Sequence, residues 1–297
     1  MSNKKKSTIL RGMTRDGSAR ILVINSKEIV NDVVKYHHTA PTATAALGRL
    51  VTAGSMIGTM LPEAQDSVTV NISGDGEAGK LLAVADYYGN VKGYIENPLA
   101  NPPKKPNGKL DVGAAIGAGT ISFIKSVGGK EPQIGTIELV SGEIAEDIAT
   151  YFAKSEQIPT VLSLGVLVDK DYTCLAAGGV LIQLMPFPDD ATVDLIERNA
   201  ADLVNISRLY ERGLTNEQIA DIAMRDIPYD IFDTLEVEYK CDCGRARMLK
   251  KIKSLGDKEI KTMLDEQEAE GKARELVAIC RFCNTEYAYS ESELLGK

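Results

Sequence analysis

The chain has 297 residues, a length for about two domains, and at 44% hydrophobic and 26% charged it has an ordinary globular composition able to bury a core. Its 42 acidic against 34 basic side chains leave a net charge of −8, which argues against a broad basic face for nucleic acid. With no tryptophan and 5% aromatics, an extended base-stacking platform is not expected either.

The start, Met1-Ser2-Asn3-Lys4-Lys5-Lys6, opens like a signal peptide, but Arg11, Arg15 and Asp16 arrive before any apolar run. Ile21-Leu22-Val23-Ile24 reads as a strand, and Asn25-Ser26-Lys27-Glu28 as a capping box opening a helix. Ile29, Val30, Val33, Val34 and His37 fall on one face of that helix. Pro41 sits in the first turn of a second helix running to Leu61, whose single charge is Arg49. Such a helix is expected to be enclosed by sheet on most sides, and the central arginine argues against a membrane span.

From Ser67 the period changes to two. Val68, Val70 and Ile72 alternate, residues 81–85 continue as a second strand, and Gly89-Asn90 turns the chain before Val91, Tyr94 and Ile95. A polar loop over 97–109 leads into apolar stretches at 112–127 and 134–140, with Gly128-Gly129 as a hairpin signal. Ser141 is the expected cap of an amphipathic helix carrying Ile144, Ile148, Tyr151 and Phe152, and 161–168 and 176–185 read as two buried strands. Residues 1–187 therefore read as an α+β domain, rich in antiparallel hairpins around a buried helix.

After Pro186-Phe187-Pro188 the pattern is helical. Val193, Ile196, Ala200, Leu203 and Leu209 form one stripe ended by Gly213. Thr215-Asn216-Glu217-Gln218 is a capping box opening a short helix with Ile219, Ile222 and Ala223, closed by Pro228. Residues 188–232 are thus expected to be a helical connector. The last unit, 233–297, carries a strand at Leu235, Val237 and Tyr239, a cysteine pair, two charged helices, a strand over 276–279 and a second cysteine pair.

Four of the five cysteines fall in that last unit: Cys241 and Cys243 as Cys-x-Cys, Cys280 and Cys283 as Cys-x-x-Cys. Two such pairs supply the four-sulfur tetrahedral shell of a zinc site, and Arg245, Arg247, Lys250, Arg274 and Arg281 lie close enough in sequence to offset its charge. A permanent structural zinc is the plain alternative. In a small unit zinc would supply much of the folding free energy, roughly 10–16 kcal/mol in zinc-finger peptides. Were each pair instead to close on itself, each disulfide would ring only three or four residues, worth roughly 2 kcal/mol, and neither would join the two halves. Oxidation would then unfold the unit, which suits it to a redox switch. In a reducing, cytoplasmic setting clustered thiols favour metal over structural disulfides. Cys174, ahead of a buried strand, is expected to be an inert buried thiol.

Three other features carry no site. Gly74-Asp75-Gly76-Glu77-Ala78-Gly79-Lys80 matches two nucleotide-loop patterns, but Leu81 stands where a magnesium-binding hydroxyl is needed and a strand follows instead of a helix. It reads as a hairpin loop, with no nucleotide. His37 and His38 are adjacent and diverge by about 100° on a helix. The basic run 245–253 reads as a solvated helix face, although an RNA-contacting zinc module stays open as a rival, as does a thiol–disulfide oxidoreductase using Cys280 and Cys283.

The segments His38-Thr39-Ala40-Pro41-Thr42-Ala43, Ala46-Leu47-Gly48-Arg49, Gly74-Asp75-Gly76, Gly93-Tyr94-Ile95-Glu96-Asn97-Pro98, Leu139-Val140-Ser141-Gly142-Glu143-Ile144-Ala145-Glu146-Asp147, Ser155-Glu156-Gln157 and Leu164-Gly165-Val166-Leu167-Val168 resemble the redox-regulated 33-kilodalton heat-shock chaperone family. So do Cys241-Asp242-Cys243 and Cys280-Arg281-Phe282-Cys283, and the likeness spans nearly the whole chain. One departure is Gly244-Arg245-Ala246-Arg247, where the family often has Ser-Arg-Glu-Arg; it leaves the four sulfurs in place. The resemblance implies a cytoplasmic, ATP-independent holdase, not an enzyme, whose four cysteines hold one zinc ion in the reduced, inactive form. It further implies oxidation to Cys241–Cys243 and Cys280–Cys283 disulfides, loss of zinc, unfolding of the last unit and connector, and a homodimeric active form that binds unfolded client proteins. Val193, Ile196, Leu203 and Leu209 are the expected contributors to the client surface.

Overall fold

A computed structural model of the chain describes residues 6–296; the lysine-rich start, residues 1–5, lies outside the described residues. The chain divides into two units, Met1–Lys240 and Cys241–Lys297.

Two five-stranded antiparallel sheets build the first unit. One joins β1 (Ser7–Thr14), β2 (Ala19–Asn25), β8 (Thr160–Val168), β9 (Cys174–Leu184) and β10 (Tyr229–Val237) in the order β10-β1-β2-β9-β8. The other joins β3 (Ser67–Gly74), β4 (Lys80–Asp86), β5 (Val91–Ile95), β6 (Gly119–Ser126) and β7 (Gln133–Glu138) in the order β5-β4-β3-β6-β7. The helix expected after Pro41 is α2 (Pro41–Gly58), and all of it except Pro41 and Arg49 is buried. It packs on strands of both sheets, the enclosure its lack of charge demands. Its hydroxyls are satisfied inside the fold: Thr52 Oγ1 donates to Gly48 O one turn back at 2.7 Å, and Ser55 Oγ to Gly89 O in the β4–β5 turn at 2.5 Å. Alternation in β3 buries Val68, Val70 and Ile72 as expected.

Several local expectations change. The helix α1 (Lys27–His37) begins where expected, but Ser26 makes no cap bond, because its hydroxyl lies 2.7 Å from Thr52 Oγ1. The stretch 112–127 is not one element: a short helix α3 (Val112–Ile116), capped by Asp111, precedes β6. Ser141 does not cap α4 (Ala145–Tyr151); Asp147 does. Its fully buried carboxylate accepts the N–H groups of Val140 at 2.7 Å, Ser141 at 3.0 Å and Ile144 at 2.8 Å. The loop after β3 is a hairpin turn, as read. Gly76 N and Ala78 N donate to Ile116 O and Ala115 O at 2.9 and 2.8 Å, so these donors are spent inside the fold, and a Cβ on Gly74 would collide with the Ile116 carbonyl.

The connector is helical but is not one stripe. It breaks into α5 (Asp190–Ala200), a 3-10 turn at Ala201–Leu203, α6 (Ile206–Glu211) and α7 (Asn216–Ala223). The Thr215 capping box forms with both of its bonds. These helices cover the outer face of the first sheet, where Ile196, Leu203, Ile206 and Ile219 pack with Ile21, Val23 and Val180. The strand expected at Leu235–Tyr239 starts earlier, at Tyr229, and pairs antiparallel with β1 from Ser7↔Val237 to Thr14↔Tyr229. The position 232/233 thus falls inside β10. Just beyond it, Lys240 N donates to Val91 O at 2.9 Å, and the Tyr239 hydroxyl donates to Gly93 O at 2.8 Å.

The second unit comprises α8 (Arg245–Lys253), α9 (Asp257–Ala269), β11 (Glu275–Ile279), β12 (Glu286–Ser290) and α10 (Glu291–Leu295). The two charged helices and the strand before Cys280 were expected; β12 and α10 were not. Its core is small: Ile260, Leu264, Leu276, Tyr289 and Leu294 are the buried apolar residues apart from Cys280.

Candidate metal centre

β11 and β12 pair antiparallel, and the turn between them carries Cys280 and Cys283. That turn is fixed by its backbone: Cys280 O accepts Cys283 N at 3.3 Å and Asn284 N at 2.8 Å, while Cys280 N donates to Thr285 O at 3.0 Å. Asn284 takes a left-handed φ of 53°, a conformation asparagine tolerates. The other pair precedes α8, and β12 holds that side through two tyrosines on one face of the strand. Tyr289 OH donates to Arg245 O at 2.7 Å, and Tyr287 OH lies 3.2 Å from Cys243 Sγ.

These elements bring the four expected ligands together. The sulfurs of Cys241, Cys243, Cys280 and Cys283 all lie within 4.8 Å of one another. Cys241 Sγ is 3.6 Å from Cys280 Sγ, and Cys243 Sγ is 3.3 Å from Cys283 Sγ. A regular tetrahedron of zinc–sulfur bonds of about 2.3 Å sets its sulfurs about 3.8 Å apart, so the donor set fits the ion. All four thiols are unbridged, Cys280 is buried and the other three are half-buried. Burial pushes the Cys241 and Cys243 thiols up. At Cys283 burial also raises the pKa, but hydrogen bonds from the Thr285 hydroxyl and N–H prevail and hold it at about 7.

The surrounding charge differs from expectation. Three of the arginines expected to offset the thiolates are paired with carboxylates: Arg245 with Glu293 at 2.6 Å, Arg247 with Asp242, and Arg274 with Asp265, Glu268 and Glu291. Close contacts to the sulfurs come instead from hydroxyls and N–H groups, with Thr285 Oγ1 3.2 Å from Cys283 Sγ. Sequence reasoning missed Thr285 and Tyr287; the Tyr287, Tyr289 alternation after the second pair could have found the tyrosine, but nothing in the sequence marks Thr285.

The remaining marked residues lie elsewhere. Ile196 and Leu203 are buried in the connector's core, and Val193 and Leu209 are half-buried. Cys174 is 2% exposed, its N–H donates to Asn31 Oδ1 at 3.0 Å, and burial pushes its thiol up to about 12. His37 is buried with Nε2 3.0 Å from Gly93 O, whereas His38 is exposed at the end of α1. Among the described residues, no helix is long and apolar enough to cross a membrane.

The profile of the Hsp33 protein family matches residues 7–290. The 33 kDa chaperonin of Clostridium tetani is 42% identical over 287 residues, covering 96% of each chain. That of Agathobacter rectalis is 41% identical over 286 residues, covering 96% of this chain and 97% of the relative. The crystal structure of the 33 kDa chaperonin from Thermotoga maritima superposes with a TM-score of 0.89 at 33% identity, covering 98% of this chain and 97% of that one. With its match to the family profile over nearly its whole length, its identity to these chaperonins and its fold, the chain belongs to the Hsp33 family.

Proposed function

We propose that this protein is a redox-regulated, ATP-independent holdase chaperone, inactive while Cys241, Cys243, Cys280 and Cys283 hold one zinc ion and active once those thiols are oxidised. The observation that carries this reading is the convergence of two distant cysteine pairs on one point in a unit with so small an apolar core. Family membership and the chaperonin names of the relatives support it.

When bound, the ion ties the 241–243 segment to the 280–283 segment and contributes much of the unit's folding free energy, about 10–16 kcal/mol by comparison with zinc-finger peptides. The thiolates also make the segment oxidisable. A peroxide takes two electrons from each cysteine pair; its O–O bond breaks, two protons complete two waters, and one S–S bond forms, Cys241–Cys243 or Cys280–Cys283. Sulfurs bonded in this way are no longer thiolate ligands, and each ring spans only three or four residues, worth roughly 2 kcal/mol. The tie between the two segments is lost and the unit unfolds. The connector follows and presents Val193, Ile196, Leu203 and Leu209 to unfolding client proteins. In this division of labour 1–187 is the chaperone core, 188–232 the connector and 233–297 the switch. The active species is a homodimer, the setting is the reducing cytoplasm, and neither nucleotide, membrane nor nucleic acid takes part.

The test treats the reduced, zinc-loaded protein with peroxide at raised temperature, following zinc release, disulfide mapping and suppression of client aggregation. The expected result is that all three proceed together. Oxidised protein that keeps its zinc, or loses it without gaining anti-aggregation activity, overturns the reading. RNA affinity that falls steeply with salt and ignores oxidation would point to a binding module, and turnover of a dithiol substrate by reduced, metal-free protein to an oxidoreductase.

A further inference from the structure

We infer that Tyr287 and Thr285 are positioning residues of the thiol switch: their hydroxyls donate to the thiolates of Cys243 and Cys283 and set how readily these two sulfurs are oxidised. The inference rests on the four-cysteine metal reading above and goes beyond it in naming what tunes the site.

The geometry singles out one edge of the cluster. Tyr287 OH lies 3.2 Å from Cys243 Sγ, Thr285 Oγ1 lies 3.2 Å from Cys283 Sγ, and those two sulfurs lie 3.3 Å apart. A thiolate has no proton to give, so each hydroxyl must be the donor. Both come from the strand side of the site: Tyr287 is on β12, opposite Ala278 of β11, and Thr285 O accepts Cys280 N at 3.0 Å. The same hairpin that places the second cysteine pair therefore places both donors, and the Tyr287 ring packs against the unit's core. Since Arg245, Arg247 and Arg274 are engaged with carboxylates, these neutral dipoles take up part of the task that free cations were expected to perform.

A hydrogen bond to a thiolate withdraws electron density from sulfur. In the metal-loaded protein the sulfurs are already deprotonated, so their nucleophilicity alone sets the rate of attack on peroxide. In that step a sulfur lone pair displaces hydroxide from the O–O bond and forms a sulfenic acid, which the second thiol of the pair condenses to a disulfide with loss of water. Removing a donor makes the sulfur more nucleophilic and the switch easier to trip. It also removes an orienting partner, the kind whose loss costs metal affinity about tenfold or more.

The test uses full-length Tyr287→Phe, Thr285→Val and Thr285→Ser, each loaded with zinc or with Co(II). Peroxide consumption by the zinc form should rise about threefold in Tyr287→Phe and Thr285→Val, the gain a Brønsted coefficient of about 0.5 returns for a tenfold more basic sulfur. Zinc affinity, measured by chelator competition, should fall about tenfold. In the cobalt form the sulfur-to-metal charge-transfer band should move to lower energy while the tetrahedral d–d bands stay in place, a signature that mere loosening of the fold would not give. Thr285→Ser, which restores the hydroxyl, should behave as wild type. Unchanged rates and bands, or a Thr285→Ser variant as fast as Thr285→Val, overturn the inference. Wild-type protein that binds cobalt through fewer than four thiolates overturns both this inference and the switch. Wild-type protein that oxidises and releases zinc without protecting clients overturns the chaperone reading alone.

Discussion

The two units of this chain are stabilised by different means. In Met1–Lys240 a buried helix lies against two five-stranded sheets, and dozens of apolar side chains leave water around it. In Cys241–Lys297 two helices, a hairpin and a short terminal helix share five buried apolar residues, and four unbridged thiols cluster beside them. Apolar burial is indifferent to oxidants, whereas a thiolate cluster is not. The contrast teaches that one chain can rest one part on apolar burial and place in another, with little apolar core, a cluster of oxidisable sulfurs.

The largest effect that could break this contrast is loss of the proposed metal. Chelation of the reduced protein, or replacement of all four cysteines by serine, should cost the second unit about 10 kcal/mol. Hydrogen exchange should then show 241–296 losing protection while α2 keeps its own; a second unit that stays protected would show its apolar core to be sufficient. The reverse probe is Phe123→Ala. Phe123 is fully buried and stacks on Tyr151 with ring centroids 3.9 Å apart, so its loss should cost about 3–5 kcal/mol in urea unfolding. Zinc affinity should not change, and a change would show the two units to be coupled.

A smaller effect is expected at Asp147. Alanine there leaves the N–H groups of Val140, Ser141 and Ile144 without their acceptor, at a cost of about 3 kcal/mol in chemical denaturation of the first unit. The smallest is a pH effect. Burial alone would raise the Glu143 pKa, but the hydrogen bond from Lys105 at 2.5 Å and the charge of Arg49 at 2.6 Å hold it below its ordinary 4.5. A carboxylate with a depressed folded pKa contributes stability that is full above its unfolded value and lost as pH falls through the folded value. Glu143→Gln should therefore be less stable than wild type at neutral pH by about 1 kcal/mol or less. That gap should close as pH drops below 4.5, measured as the difference in thermal midpoints.

Much of the molecule was legible from local pattern. The charge-poor run after Pro41, the alternation of Val68, Val70 and Ile72, the Thr215 capping box and the two cysteine pairs each carry their signal within a few residues. What was not legible depends on partners remote in the chain. β1, interrupted by Arg11 and Gly12, is a strand because it lies between β2 and a segment more than 200 residues downstream. Ser26 looks like a cap until Thr52 occupies its hydroxyl. The connector stripe is continuous on a helical wheel, yet the chain leaves α-helical geometry at Ala201–Leu203 to fit the sheet beneath it. At the cysteine cluster the four converging thiols were readable from spacing, whereas Tyr287 left only the weak signal of its alternation with Tyr289 and Thr285 left none.

The position of β10 has a mechanical consequence. Leu184 at the end of β9 pairs with Ala19, and Tyr229 at the start of β10 pairs with Thr14, so the segment that carries the connector helices leaves and re-enters one sheet at the same end, three strand spacings or about 14 Å apart. Residues 185–228, fully drawn out, would reach roughly 150 Å. If the helices melt while β10 stays paired, the connector becomes a noose and not a tail: slack in the middle and anchored at both ends. Any pull on it is borne as shear along the β1–β10 ladder, the arrangement in which many hydrogen bonds resist together and do not open one at a time.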